Sequence, residues 1–302
     1  MIMIFIDGLG LGAPAPQTNP VFAAGLPELR KIIGEVSLTT LSEVYIGDDV
    51  TIAPADAAMG VEGLPQSATG QAAIFTGINV AAILNGHVSG FPTKTIRDIL
   101  QKNNLFSALR EKGKRVCFAN TYTPEYFSLL KDRQDFVSVT TVCAMAAEIK
   151  LNSISDLLEG KSLYHDLTNE LLRKKGHEVN LITYEQAGRI LAGLSKEYDF
   201  VFFEYFLTDW AGHAQDMEMA KEIISGLDQF IYTVAKSVEL DKTQIVVTSD
   251  HGNIEDLSVN MHTKNKVPVM AMGKLHKAWT EVKNLTDIMP KVLSLLSSYS
   301  QV

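Results

Sequence analysis

Short continuous apolar runs alternate with longer stretches of helical periodicity along this chain. That alternation predicts an α/β protein whose mostly parallel sheet is covered on both faces. Five runs read as strands: Ile2–Ile6, Arg115–Ala119, Phe200–Phe206, Gln244–Thr248 and Val267–Met272. Each is rich in β-branched or aromatic residues and bounded by polar or turn residues. Between them, Thr95–Lys112 predicts one helix closed by Gly113. Tyr184–Ser195 sets Ala187, Ile190, Leu191 and Leu194 on one helical face, and Met217–Val238 reads as a second long amphipathic helix. The expected fold is a doubly wound α/β domain with helices on both faces of the sheet.

Residues 121–180 break the pattern. They are more polar and less periodic, with the run LLRKKGHEVN around Gly176. They fall between the strand near Asn120 and the helix beginning at Tyr184, so they read as a small cap inserted into one domain spanning residues 1–302. A chain of this length can bury a substantial core. No internal repeat or low-complexity segment is present.

Charge narrows the partners. With 27 Lys+Arg against 35 Asp+Glu, the net charge is −8. Such a balance argues against nucleic acid or an anionic membrane surface as the main partner. A negatively charged substrate would need positive charge supplied locally. Cys117 and Cys143 sit in apolar surroundings and form no metal or redox pair, which excludes a disulfide framework and suits a reduced compartment. The N-terminal run lacks a basic flank and reaches Asp7 too soon for a secretory signal. No stretch approaches the roughly 20 apolar residues that span a bilayer. A soluble, cytoplasmic protein is expected, its oligomeric state open.

The acidic residues and histidines carry the chemistry. Asp7 ends the first strand; Asp209, with His213 in DWAGH, follows FVFFEYF; Asp250 and His251 end QIVVTSDH; His262 precedes VPVMAM. Ligands of open α/β sheets bind at the carboxyl ends of the strands. Three carboxylates delivered to that edge would repel one another without a cation. Two divalent ions would over-compensate them and leave a positive site in an acidic protein. Mixed imidazole and carboxylate ligands suit Zn, Mn or Fe better than Mg or Ca, and a metal pair is a device for displacement at phosphorus. Ser67, in GLPQSATGQ, falls at a turn before an apolar helical stretch, where free amides favour an oxyanion. It is the candidate nucleophile, with Thr69 as its competitor.

This set, Asp7 in IFIDGLG, Ser67 in PQSATGQ, DxxGH, DHGN and the HT of MHTKNKVPV, resembles the alkaline phosphatase superfamily. Within it, the chain is most similar to the metalloenzyme branch of cofactor-independent phosphoglycerate mutase and phosphopentomutase. The resemblance covers residues 1–120 and 184–273. It implies that Asp7, Ser67, Asp250 and His251 hold one divalent metal ion and Asp209, His213 and His262 another, Mn or Zn. It also implies that Ser67 rather than Thr69 attacks a phosphate ester, giving a phosphoserine resolved by water or by a substrate hydroxyl. Gln71 stands where the mutases commonly carry His, and residues 121–180 are shorter than the mutases' inserted domains. A mutase must keep its intermediate from water, so hydrolysis or transfer of a small phosphomonoester is the first expectation, a mutase the second, and a catalytically silent metal-binding member the third.

Other polar residues carry weaker expectations. Thr69, Gln71, His87 and Lys264 are candidate substrate contacts. Asn19 and Asn253 read as loop braces, and His165, His177 and His276 as surface residues. Arg173, Lys174 and Lys175 read as a solvated run or a substrate gate.

Overall fold

The computed structural model describes residues 1–39, 41–133 and 136–298. Among the described residues, seven strands form one sheet: β1 (Ile2–Ile6), β2 (Tyr45–Ile46), β3 (Val50–Ala55), β4 (Val116–Phe118), β5 (Phe200–Tyr205), β6 (Ile245–Thr248) and β7 (Val267–Met272). Their order is β2-β3-β7-β6-β1-β5-β4. The half β6-β1-β5-β4 is parallel, while β7 runs antiparallel to both β6 and β3. That reversal has a consequence for the site. The segment before β7 meets the carboxyl ends of β1, β5 and β6, which brings His262 to the same edge as Asp7, Asp209 and Asp250.

Alternate residues of one strand supply opposite faces of the sheet. Met3 and Phe5 pack into one apolar core with the helices Ser67–Thr76, Leu105–Glu111 and Val139–Ala146. Ile2, Ile4 and Ile6 pack into the other with Tyr184–Leu194 and Met217–Lys236. The doubly wound, mostly parallel fold is therefore observed, with an antiparallel edge.

Several details differ from the sequence reading, the short strand β2 among them. β3 was not expected, because Pro54 interrupts its apolar pattern. Pro54 lies opposite Pro268, beyond the last residues paired with β2 and β6, so neither missing N–H leaves a ladder bond unmade. The expected helix Thr95–Lys112 is two helices, Lys94–Lys102 and Leu105–Glu111. Asn104 divides them: its side chain accepts from the amides of Phe106 and Ser107 and starts a new helix. His276, read as a surface residue, is buried, with its Nδ1 2.9 Å from Thr51 Oγ1.

Within residues 121–180, the helix Val139–Ala146 joins the main core, whereas Leu157, Tyr164, Leu172 and Val179 form a small cluster of their own. Among the described residues, no helix is long and apolar enough to cross a membrane.

Candidate metal centre

Each acidic ligand candidate is placed by a strand and pinned by its neighbours. Asp7 follows β1, and its N–H donates to Tyr205 O at 2.8 Å. The next residue, Gly8, has φ +71, and a Cβ there would come within 2.9 Å of Asp209 Oδ1, so glycine lets the two acidic loops approach. Asp209 and His213 lie one turn apart on the helix Leu207–Ala214. Asn253 Nδ2 donates to Asp209 Oδ1 at 2.7 Å, and Gln71 Nε2 to Asp250 Oδ2 at 3.2 Å. Asp250 and His251 are wholly buried.

Ser67 is the first residue of the helix Ser67–Thr76, and Gln66 occupies the cap position. Ser67 therefore begins the first turn rather than capping it. The first-turn amides lack intrahelical partners and present the positive end of the helix dipole beside it. Ser67 Oγ lies 3.0 Å from His251 Nε2.

The imidazoles show what the cluster is built to hold. His262 Nδ1 is 2.8 Å from Pro65 O, and His213 Nδ1 is 2.8 Å from Asn260 O. A carbonyl only accepts, so both Nδ1 atoms carry hydrogen and both neutral rings turn a lone pair on Nε2 inward. Those Nε2 atoms lie 3.3 Å apart, each 3.4 Å from an oxygen of Asp209. Acceptors therefore face acceptors. Donor atoms held about 2.1 Å from one tetrahedral ion are separated by about 3.4 Å, which is the spacing found here. In the adjoining group, His251 Nε2 is 3.2 Å from Asp7 Oδ1 and 3.6 Å from Asp250 Oδ2. Asp7 Oδ1 is buried without a hydrogen-bond donor. These residues fit two divalent cations. His251 lies within reach of both groups, since Asp209, His251 and His262 also converge. Its ring stacks on His262 at 3.7 Å and joins the two halves.

Electrostatics agree. Burial drives the Asp250 carboxyl well above its usual range, reinforced by the nearby charge of Asp7. Burial alone would depress His251, but Asp250, Asp7 and Asp209 reverse that and raise it to about 10. Burial would likewise raise Asp209, yet the positive charge of His251 and the amide of Asn253 help hold it down at about 2. Without a cation the cluster must keep a proton; a cation would take that proton's place.

The centre opens into a cavity of about 580 Å³. Asp7, Ser67, Gln71, Asp209 and His213 form its inner wall. Its remaining wall includes Asn120, Tyr122, Tyr126, Tyr164, His165, Lys175, Glu204, Phe206 and Trp210, none of which the sequence marked as part of the centre. Lys175 alone of the run Arg173–Lys175 reaches it. His165 is not a free surface residue, since its ring stacks on Phe206 at 4.3 Å, while His177 pairs with Glu125. Glu204 accepts from Thr140 Oγ1 at 2.7 Å and is raised to about 7, chiefly by burial.

Three candidate contacts do not line the cavity. Thr69 Oγ1 is spent on Gln66 O and Val88 N, His87 faces Val61 O, and Lys264 is exposed. Asn19 caps the helix Pro20–Ala24. Sequence reasoning also passed over Glu255. Its carboxylate accepts from Gly10 N at 2.9 Å, Asn253 N at 2.7 Å, Asn265 Nδ2 at 3.0 Å and Thr263 Oγ1. It ties together the loops that carry Asp7, Asp250–His251 and His262.

A family model of the metalloenzyme superfamily matches residues 1–299. The chain belongs to the metalloenzyme superfamily. It is 34% identical over 109 residues to 2,3-bisphosphoglycerate-independent phosphoglycerate mutase of Escherichia coli (strain K12), a match covering 34% of this chain and 21% of the relative. The same enzyme of Thiobacillus denitrificans is 29% identical over 121 residues, covering 37% of this chain and 24% of that one. The matched part thus spans about a quarter or less of those mutases' length. In fold, this metalloenzyme is similar to the PH0037 protein from Pyrococcus horikoshii, with TM-score 0.58, 16% identity and coverage of 98% and 96% of the two chains. It is equally similar to alkaline phosphatase from the Antarctic bacterium TAB5, with TM-score 0.56, 14% identity and coverage of 98% and 97%. The alkaline phosphatase fold expected from the sequence is the fold observed.

Proposed function

We propose that this protein transfers phosphoryl groups from a small phosphomonoester through Ser67, by hydrolysis or transfer to another hydroxyl. The observation that carries this reading is the convergence of three carboxylates, three imidazoles and the Ser67 hydroxyl at the inner end of the cavity. Asp7, Ser67, Asp250 and His251 would hold one divalent cation, and Asp209, His213 and His262 the other, with Mn or Zn suited to the mixed donors. Such ions, when bound, stabilise charge on phosphoryl oxygens and lower the pKa of a coordinated hydroxyl.

The chain's own residues supply the rest. The first turn of the helix Ser67–Thr76 offers amides to a phosphoryl oxygen. Gln71 and Asn253 keep Asp250 and Asp209 from turning away. In the reaction, an Oγ–phosphorus bond forms at Ser67 as the ester oxygen departs with its electron pair and takes up a proton. Water or a second hydroxyl then cleaves the phosphoserine and regenerates Ser67.

A mutase is the second reading, favoured by the names of the curated relatives. Incubation of the protein with Mn2+ or Zn2+ and a panel of phosphomonoesters separates the two. Release of inorganic phosphate supports hydrolysis, and isomerised ester without free phosphate supports the mutase. Neither product, or metal uptake unchanged by Asp209→Ala, would overturn the proposal.

A further inference from the structure

The cavity wall that faces the centre has its own chemistry, and, resting on the proposed phosphoryl transfer, it identifies the substrate's alcohol portion. Phe206 and Trp210 lie one helical turn apart, joined by the Trp210 N–Phe206 O bond of 3.5 Å. They form a stripe adjoining Asp209 and His213 on the same short helix. Both rings stay open to solvent, 39% for Phe206 and 58% for Trp210. One helical turn therefore sets two exposed aromatic faces at a fixed distance from the proposed metal ligands. His165 extends the surface, stacked on Phe206 at an interplanar angle of 30°. Its buried Nδ1 has no hydrogen-bond partner in the protein.

Positive charge is sparse on that wall. Among the described residues lining the cavity, Lys175 is the lone lysine and no arginine is present; its Nζ donates to Tyr164 Oη at 3.0 Å. A substrate with a second anionic group, such as a phosphorylated carboxylic acid, calls for a cationic fork that this wall lacks. A ring with polar edges fits better. Stacking uses its faces and leaves its polar edges free.

The geometry points to a phosphomonoester whose alcohol carries a planar heteroaromatic ring, the chemistry of a nucleoside monophosphate, with Phe206, Trp210 and His165 as its ring subsite. Two measurements test this, the first independent of turnover. Adenosine should quench the fluorescence of Trp210 saturably in the metal-loaded protein. The other tryptophan, Trp279, is fully buried and supplies a constant background. Trp210→Phe should abolish the quench, and quenching that is absent or survives this change overturns the subsite.

In turnover, kcat/KM for adenosine monophosphate should exceed that for glycerol phosphate. Trp210→Ala should shrink that ratio about tenfold, as expected for loss of one stacked ring, and Trp210→Phe should restore most of it. A ratio unmoved by Trp210→Ala also overturns the subsite. Quenching by adenosine without phosphate release or transfer would uphold the ring subsite and defeat the phosphoryl-transfer reading. Equal turnover of both esters without quenching would do the reverse.

Discussion

Asp7, Ser67 and Asp209 line the same cavity as Tyr164 and His165, but the two walls hold their polar groups differently. On the inner wall each ligand candidate is buried or braced by a second group: Gln71 on Asp250, Asn253 on Asp209, carbonyls of Pro65 and Asn260 on the histidines. On the outer wall, Tyr164 belongs to a four-residue cluster of its own, Lys175 is exposed, and His165 keeps an unmet nitrogen. Reacting atoms must be held to a fraction of an ångström, whereas a leaving group needs area and a few adaptable contacts. The carboxylates of the centre are accordingly pinned by side-chain donors from other segments, whereas Phe206 and Trp210 on the outer wall stay open.

The largest effect belongs to the inner wall. Ser67→Ala should lower phosphate release by about a thousandfold or more, because it removes the proposed nucleophile. Ser67 does not cap its helix, so the thermal unfolding midpoint should barely move. Activity that survives this substitution would place the nucleophile elsewhere and break the assignment of roles to the two walls.

Glu255 comes next. Glu255→Ala releases four donors from the three loops that carry the ligand candidates, and metal affinity should fall by about 10- to 100-fold. Calorimetric titration with Zn2+ measures it, with Thr263→Val as a milder variant that removes one of the four bonds. Affinity equal to wild type would show that the loops are held without Glu255, and that the rigidity of the inner wall comes from the strands alone.

What the sequence revealed follows the same division. Asp7, Asp209 and Asp250 stand out because each directly follows or closely trails an apolar run, so the strand pattern locates them. His262 works by a different route, since it joins them only because β7 is antiparallel, which no local pattern announces. β3 was hidden by Pro54, and the break at Asn104 by a side chain that competes with the backbone it would otherwise extend. Glu255 looks like any acid after DHGN until its four donors are seen together. Tyr122, His165, Lys175 and Trp210 come from separate segments, and no periodicity links residues that share a wall only through tertiary packing.

The smallest effect probes how firmly the outer wall is closed. Burial, aided by the charge of Lys175, lowers His165 from its ordinary 6.5 to about 3. Between those values the unfolded chain takes up a proton that the native ring refuses. His165 thus contributes stability that is complete above pH 6.5 and is lost as the pH falls toward 3. His165→Phe keeps an aromatic ring against Phe206 but removes the proton. The drop in urea midpoint between about pH 7.5 and about pH 5 should be smaller in the variant. The difference should stay under about 2 kcal/mol, the bound set by 1.5 pH units and reduced further because the ring is partly open to solvent. Equal drops would mean that the outer wall opens readily enough for His165 to protonate in the folded protein, and the contrast between a rigid centre and a yielding recognition surface would be sharper still.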